Sequence, residues 1–517
     1  MAFATFGASM DEIDALVGRD AADWLAEEFA KPATAFLPPV LAVRTPGPNF
    51  PDGRILQDLF WTAMMEADDQ LRMRMIFALS QILVVSQDAT GNNQDQLAYY
   101  VDVLGANAFG DYRALLEDVT YAPVMSQFLT YFRNRRGDPN TGRMPDENYA
   151  REILQLFSIG LVELNPDGTP RLGGGGNAIP TYDNDDIVGL ARVFTGLAYD
   201  DGSFFAGPSL DSRVSPLVMY DEQHSELEKS FLTATIPANT PGVESIDRAL
   251  DEIFAHPNVA PFIARQLIQR FTASNPAPAY VARVAAAFES GEFMADNGRV
   301  FGDRTRGDLE ATLAAILLDP SLFEDPGLQD AAAGKVREPI LKFVHWVRAF
   351  NVGDIDPIAE FRLSNTRDAD DLGQQFLRSP SVFNFYRPGY IAPQTESGAA
   401  GLTAPELQIL NSTSASGYIN FVGDFILDLT GGQNDPPRFT PDYAAELALV
   451  DDPAALIDRL DLLLTGGRLS TDAHAEILSI VENTPIRTNA NEADDRLRRV
   501  ETAIFLVVAS PAYHVVQ

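Results

Sequence analysis

The chain has 517 residues, 46% of them hydrophobic, and carries 38 basic against 73 acidic side chains, a formal charge of −35. That balance, without any clustered run of lysine and arginine, excludes nucleic-acid binding by counterion release and disfavours anionic membranes. Cysteine is absent, which removes disulfides, thiolate nucleophiles, Cys-ligated zinc and iron–sulfur clusters. The acidity suits a self-repelling soluble surface in a salty or extracellular setting, and its sharper alternative is carboxylates that collect a divalent cation such as calcium. No apolar run reaches the roughly 20 residues that span a bilayer. The opening stretch MAFATFGASMDEIDALVG has neither a basic n-region nor an h-region, so no signal peptide is expected in this chain.

In chain order the pattern is helical almost throughout. Short amphipathic helices are predicted over 11–17 and 21–29, the second ended by Lys31 and Pro32. Helices over 55–67 and 71–86 follow. The latter puts Met73, Ile76, Phe77, Ser80, Leu83 and Val84 on one face and Met75, Leu79 and Ile82 on another. A helix apolar nearly all round belongs at the centre of a large domain. Helices over 95–104, with Asp95 as N-cap, 111–119 and 123–132 extend the bundle.

The densest run of hydrogen-bonding groups is 143–160, RMPDENYAREILQLFSIG. Pro145 suits a first helical position, and Asp146 and Glu147 favour the positive helix end. At about 100° per residue, Tyr149, Ile153, Leu156, Phe157 and Gly160 form an apolar stripe, with Asn148, Glu152 and Gln155 along its flank. Glu147 and Arg151 are spaced i, i+4 for an ion pair. Polar groups beside a buried seam form either a satisfied network or the wall of a site.

A turn at Asn165-Pro166-Asp167-Gly168 and the four glycines 173–176 make 163–182 a hairpin-like excursion. No strand precedes those glycines and no helix start follows them, so a phosphate loop is excluded. Helix resumes over 184–196, capped by the acidic run at 183–186. Residues 198–242 form a long irregular segment with a strand near 230–235, and such loops are often functional. Helices are predicted over 245–255, 258–271 (Asn258 as N-cap), 278–289, 306–318 and 332–350. After a mostly irregular 352–400, the capping box Thr403-Ala404-Pro405-Glu406 opens a helix to about 429. A link at 430–438 precedes helices over 441–449, 452–465, 471–484 and 494–508.

The five histidines are His224, His256, His345, His474 and His514. His345 sits in an apolar helix and reads as structural, while His474 and His514 look peripheral. No HExxH or HxH spacing is present, which argues against a zinc-protease site. A two-histidine, one-carboxylate metal site could assemble only from distant positions such as His224, His256 and Glu152. There is no GxSxG elbow. Among the acids Glu152 is the best candidate for acid–base chemistry, because apolar neighbours raise the pKa of an unpaired carboxyl. The simpler expectation is that Arg143, Arg151 or Arg192 neutralises it. Asp183, Asn184, Asp185 and Asp186 read as a cap before a calcium site, and a calcium-dependent surface protein would rest on them or on 296–303. Arg72, Arg74, Arg133, Arg135 and Arg136 are expected to partner internal carboxylates, and Arg265 and Gln269 share one helix face.

Several of these segments resemble one family. LRMRMIFALSQILVVS at 71–86 is similar to a block R-x-R-x-x-x-A-L-S-Q-I-x-V-x-S, and PDENYAREILQLFSIG at 145–160 to N-E-N-[FY]-A-R-E-L-x-E-L-[HF]-T-L-G. Further matches are 186–197 with Phe194-Thr195-Gly196, His224, 256–269, 306–309, 334–339 and SPSVFNFYRPG at 379–389. Together, spanning most of the chain in order, they resemble the bacterial domain-of-unknown-function family eighteen hundred. The resemblance implies a helical, frequently exported protein, commonly encoded beside a family related in fold to sulfatases and alkaline phosphatases. It carries over no reaction and no catalytic set. Many relatives place histidine where this chain has Phe157, whereas His224 and His256 match family positions.

The expected fold is mainly α: one large irregular multi-helical domain, 1–395, with short β-hairpin excursions, and a smaller helical part, 396–517, packed on it. Two functions follow. The first is a non-catalytic extracytoplasmic protein, periplasmic or secreted, working with a sulfatase-like partner or an extracellular polymer. The alternative is a hydrolase-like or metal-assisted enzyme whose site joins Asn148, Arg151, Glu152, His224 and His256.

Overall fold

The computed structural model describes residues 2–43, 54–91, 93–323, 334–352, 361–427, 440–488 and 490–516. The chain is mainly α, as its periodicity predicts. Among the described residues, strands occur only as four two-stranded antiparallel pairs, accompanied by isolated bridges.

Helix Gln70–Ser80 is the central one, buried at every residue except Arg72. It packs against Ala21–Phe29, Ile55–Glu66, Gln94–Ala106 and Val259–Phe271. It stops at Ser80 and does not run on to 86. The Ser80 hydroxyl donates to the Phe77 carbonyl at 2.8 Å. Beyond that turn, the Ser86 hydroxyl donates to the Ser379 carbonyl and the Gln87 amide to the Leu377 carbonyl, each at 2.8 Å. Residues after Ser80 therefore belong to a junction with the loop around 374–391, where long-range bonds replace helical ones.

Val259–Phe271, Pro278–Ser290 and Leu309–Leu317 pack mutually beside this centre. The excursion at 163–182 is hairpin-like, with bridges Val162–Pro180, Leu164–Pro170 and Leu172–Ala178. The strand expected near 230–235 is a hairpin, Lys229–Phe231 against Ala234–Ile236, turned at Leu232 with φ +49°.

The predicted helix over 332–350 is shorter, Pro339–Ala349. Proline, with no N–H to leave unbonded, opens it. Lys335–Val336 instead pairs as a strand with Val515–Val516, and 332 and 333 lie outside the described residues. The capping box at 403–406 is not built: the Thr403 amide donates to Asn275 and Glu406 meets Lys335. A short 3-10 turn, Pro405–Gln408, stands there, and the helix starts at Ser412 under a cap from Asn411. The expected link at 430–438 lies outside the described residues. One hydrophobic cluster takes in Phe6, Trp61, Tyr112 and Trp346 together with Tyr418, Val507 and Tyr513.

Candidate functional site

The helix carrying the polar flank begins at Asn148, not at Pro145. Asp138 and Arg143 pair as an isolated bridge, and the Asp146 amide donates to Asn134 Oδ1 at 2.9 Å, which keeps the preceding segment out of the helix. The Asp146 carboxylate then accepts from the Asn148 amide and the Thr130 hydroxyl, both at 2.9 Å. Beyond this start the expected stripe forms. Tyr149, Ile153, Phe157 and Gly160 are buried, as is Glu152, while Asn148 and Gln155 are half-buried. Arg151 reaches Glu147 at 3.5 Å.

Glu152 Oε2 and the neighbouring Tyr182 hydroxyl are both sealed from solvent without a hydrogen-bond partner. Burial raises the Glu152 pKa, opposed by the charge of Arg151. None of the three expected neutralisers forms an ion pair with it. Arg151 turns to Glu147, Arg143 donates to the Arg136 carbonyl and Arg192 to the Glu228 carbonyl.

His224 is buried between two other segments. Its Nδ1 lies 2.9 Å from the Thr195 carbonyl, so it donates there, which leaves Nε2 to accept from the Ser245 hydroxyl at 3.3 Å. Burial lowers its pKa. His256 Nδ1 accepts from the Asn258 amide at 3.1 Å, so the histidine serves the helix start where Asn258 was expected to cap. The Asn258 side chain instead bridges the carbonyls of Ile159 and Val162, each at 2.8 Å, and accepts from the Leu164 amide. Glu152, His224 and His256 thus keep separate partners. Among the described residues no three histidines or acids are grouped to hold a metal. Asp183 and Asp186 form a reciprocal capping box, their oxygens occupied by backbone amides. His345 is buried and bonded to Arg337, His474 pairs with Asp458, and His514, expected at the periphery, packs on Lys342.

Past Gln155 the chain turns at Gly160, with φ +72°, where a Cβ would lie 2.7 Å from Phe262. Glycine alone permits both the conformation and that approach. A cleft of about 470 Å³ opens at this junction, a size typical of ligand pockets. Four segments distant in sequence line it: 81–82, 155–161, 262–270 and 382–391. Phe262, Gln266 and Arg270 lie at i, i+4 and i+8, so one helix face presents a ring, an amide and a guanidinium to it. Phe383 and Tyr390 stand opposite in the lining, and Leu161, Arg387 and Ile391 are exposed at its mouth. Among the described residues no aspartate or glutamate lines the cleft.

Arg270 is 2% exposed, and its Nε and Nη1 make no hydrogen bond. Its guanidinium lies 4.9 Å from the centre of the Tyr386 ring. The Tyr386 hydroxyl donates to Gln81 Oε1 at 3.0 Å, and Gln81 and Gln374 donate to Glu338 Oε2 at 2.7 and 2.5 Å. Burial, and then Glu338, push the Tyr386 hydroxyl well above its usual range. Arg74 donates to the Arg270 carbonyl at 3.2 Å, and burial, resisted by Glu338, brings its pKa down to about 10. Gln269 ties the wall, donating to the Pro388 carbonyl at 2.9 Å.

Gln155, Leu156 and Gly160 had been singled out by the helical pattern, whereas Gln266 and Arg270 had not. The i, i+4, i+8 spacing from Phe262 was the available signal, one helix face away from Arg265 and Gln269. The expectation of carboxylate partners is also corrected. Of Arg72, Arg74, Arg133, Arg135 and Arg136, the last pairs with Glu226. Arg72 donates to the carbonyls of Gly105, Phe29 and Lys31, Arg133 donates to that of Ala206, and Arg135 lies over the Phe205 ring. Carbonyls and ring faces satisfy a guanidinium without burying a second charge.

Fold and site together define a mainly helical protein with an arginine- and amide-lined cleft, free of acids among the described residues, at the meeting point of its helices. The chain belongs to the family described as Protein of unknown function (DUF1800), whose model matches residues 1–515. No curated protein and no solved structure matches the chain. The blocks at 71–86, 145–160, 256–269 and 379–389, which carry the family resemblance, each contribute residues to the cleft.

Proposed function

We propose that this protein is an extracytoplasmic binding protein that holds a segment of an extracellular polymer in the cleft and works beside a sulfatase-like partner. The lining of the cleft carries this reading. Phe262, Phe383 and Tyr390 offer ring faces, and Gln81, Gln155 and Gln266 offer amides that both donate and accept. Apolar walls with a few directional polar groups orient a ligand, and this pairing suits a hydroxyl-rich chain of rings. The separate settings of Glu152, His224 and His256 support binding over turnover. The test is affinity electrophoresis of the full chain through a panel of neutral and acidic polysaccharides. Retardation is expected for wild type, and Phe383→Ala with Tyr390→Ala should weaken it about tenfold per ring. Absence of retardation by every polymer overturns the proposal.

One observation favours the enzymatic alternative. The partnerless Glu152 carboxyl beside Tyr182 is biased towards its protonated form, the state a general acid requires. Cleavage of a bound polymer by wild type, abolished in Glu152→Gln, would replace binding with hydrolysis.

A further inference from the structure

We propose that the floor of the cleft is an oxyanion site in which Arg270 pairs with the sulfate, carboxylate or phosphate group of an acidic polysaccharide. The inference rests on the polymer reading above and names the class of polymer. The other buried arginines described bond groups of the fold: Arg74 donates to the Arg270 carbonyl, and Arg337 to His345 Nδ1 and the Leu464 carbonyl. Half-buried Arg213 meets Asp95 through two bonds of 2.8 Å, and exposed Arg283 meets Asp319 at 2.7 and 2.8 Å. Yet Arg270 lines the cleft, almost wholly buried, with two donor nitrogens unused.

The acid in its neighbourhood does not cancel it. Glu338 Oε2 faces the amides of Gln81 and Gln374, and its one charge acts on Arg74 and Tyr386. One positive charge is therefore in excess beneath the cleft. Keeping an unpaired cation buried is costly, and an anion entering from solvent removes that cost while gaining a charge-assisted bond. Arg387, stacked 4.9 Å over Phe383 at the mouth, adds a second positive charge on the route in. Gln155 and Gln266 can bond the remaining oxygens, and among the described lining residues no carboxylate repels them. A site of this sign is needed if so acidic a chain is to hold an acidic polymer at all. The step is association alone, and no bond is made or broken.

Calorimetric titration of the full chain tests it, with three probes: a sulfated galactan oligosaccharide, its desulfated counterpart and an oligogalacturonate. Wild type should prefer at least one acidic probe to the neutral one, with affinity falling as salt rises. Arg270→Met should cost that probe about 10- to 100-fold, far more than it costs the neutral probe, and Arg270→Lys should retain part of the preference. The sulfated and carboxylated arms tell which oxyanion is taken. Equal binding of neutral and acidic probes by wild type overturns the inference but spares the polymer reading. If no oligosaccharide binds, the polymer reading falls. In that case, thermal stabilisation of wild type, but not of Arg270→Met, by sodium sulfate or phosphate alone still supports the anion site, and its absence overturns it. The wild-type preference and salt response need no variant, so a misfolded Arg270→Met leaves the test intact.

Discussion

Where the C-terminal chain meets the rest of the molecule, Lys335 pairs with Glu406, their side chains 3% and 0% exposed, and Glu406 also accepts from the Ser274 hydroxyl at 2.8 Å. Lys342 Nζ lies 2.9 Å from His514 Nδ1 and 3.8 Å above the Tyr418 ring, and the Tyr513 hydroxyl donates to the Lys342 carbonyl. Beneath the cleft, Arg270 is buried as deeply but meets only the face of Tyr386. In the first region both buried lysines are closed off by groups of the chain itself. In the second, the arginine borders a pocket with two of its nitrogens unbonded. The contrast separates buried charge that holds the fold from buried charge that is free to hold something else.

The largest effect should come from opening the closed region. Lys335→Met strands Glu406 in the core and should cost about 3–5 kcal/mol in urea unfolding, with most of it recovered when Glu406→Leu is added. Arg270→Met leaves no acid behind and should change unfolding far less. Equal losses at the two sites would break the comparison.

A smaller effect should follow pH. Burial lowers the Lys342 pKa from 10.5 to about 7. Between these values the folded state binds fewer protons than the unfolded one, so this group makes stability rise with pH over that window. Lys342→Met should therefore be more stable than wild type near pH 6–7, the gain fading towards pH 10.5 in melting curves. His514, pushed down to about 3 by burial and by Lys342, acts with the same sign at acid pH.

The smallest effect is expected at Glu152, on the helix that carries Gln155 to the cleft. Its carboxyl is raised from 4.5 by burial, so the folded state favours the proton, and the group costs stability as pH rises above 4.5. Glu152→Gln should raise the melting temperature at pH 7, and the gain should vanish near pH 4. A loss at pH 7 would mean that the charged carboxylate has a partner.

Some of this could be read before any contact was known. The stripe Tyr149, Ile153, Phe157 lies in the core, and the all-round apolar helix at 71–80 is central, because side chains three and four apart share a helix face whatever surrounds them. The polar flank was partly legible too, since Gln155 does reach the cleft. Helix ends were less so. Pro145 and Thr403 carry good start signals, but Asn134, Asn275 and Lys335 bond the same segments from far away in sequence.

Periodicity and composition by themselves determined a mainly helical, cysteine-free, strongly acidic chain with a buried seam after position 145. Only the tertiary structure decided that Arg270 lies in a cleft whose described lining holds no acid, that His224 and His256 keep separate partners, and that His514 sits against Lys342. The reason is physical. A helix is closed by bonds four residues apart, whereas a pocket is closed by packing among segments that begin 74, 107 and 120 positions apart, from 81 to 155 to 262 to 382.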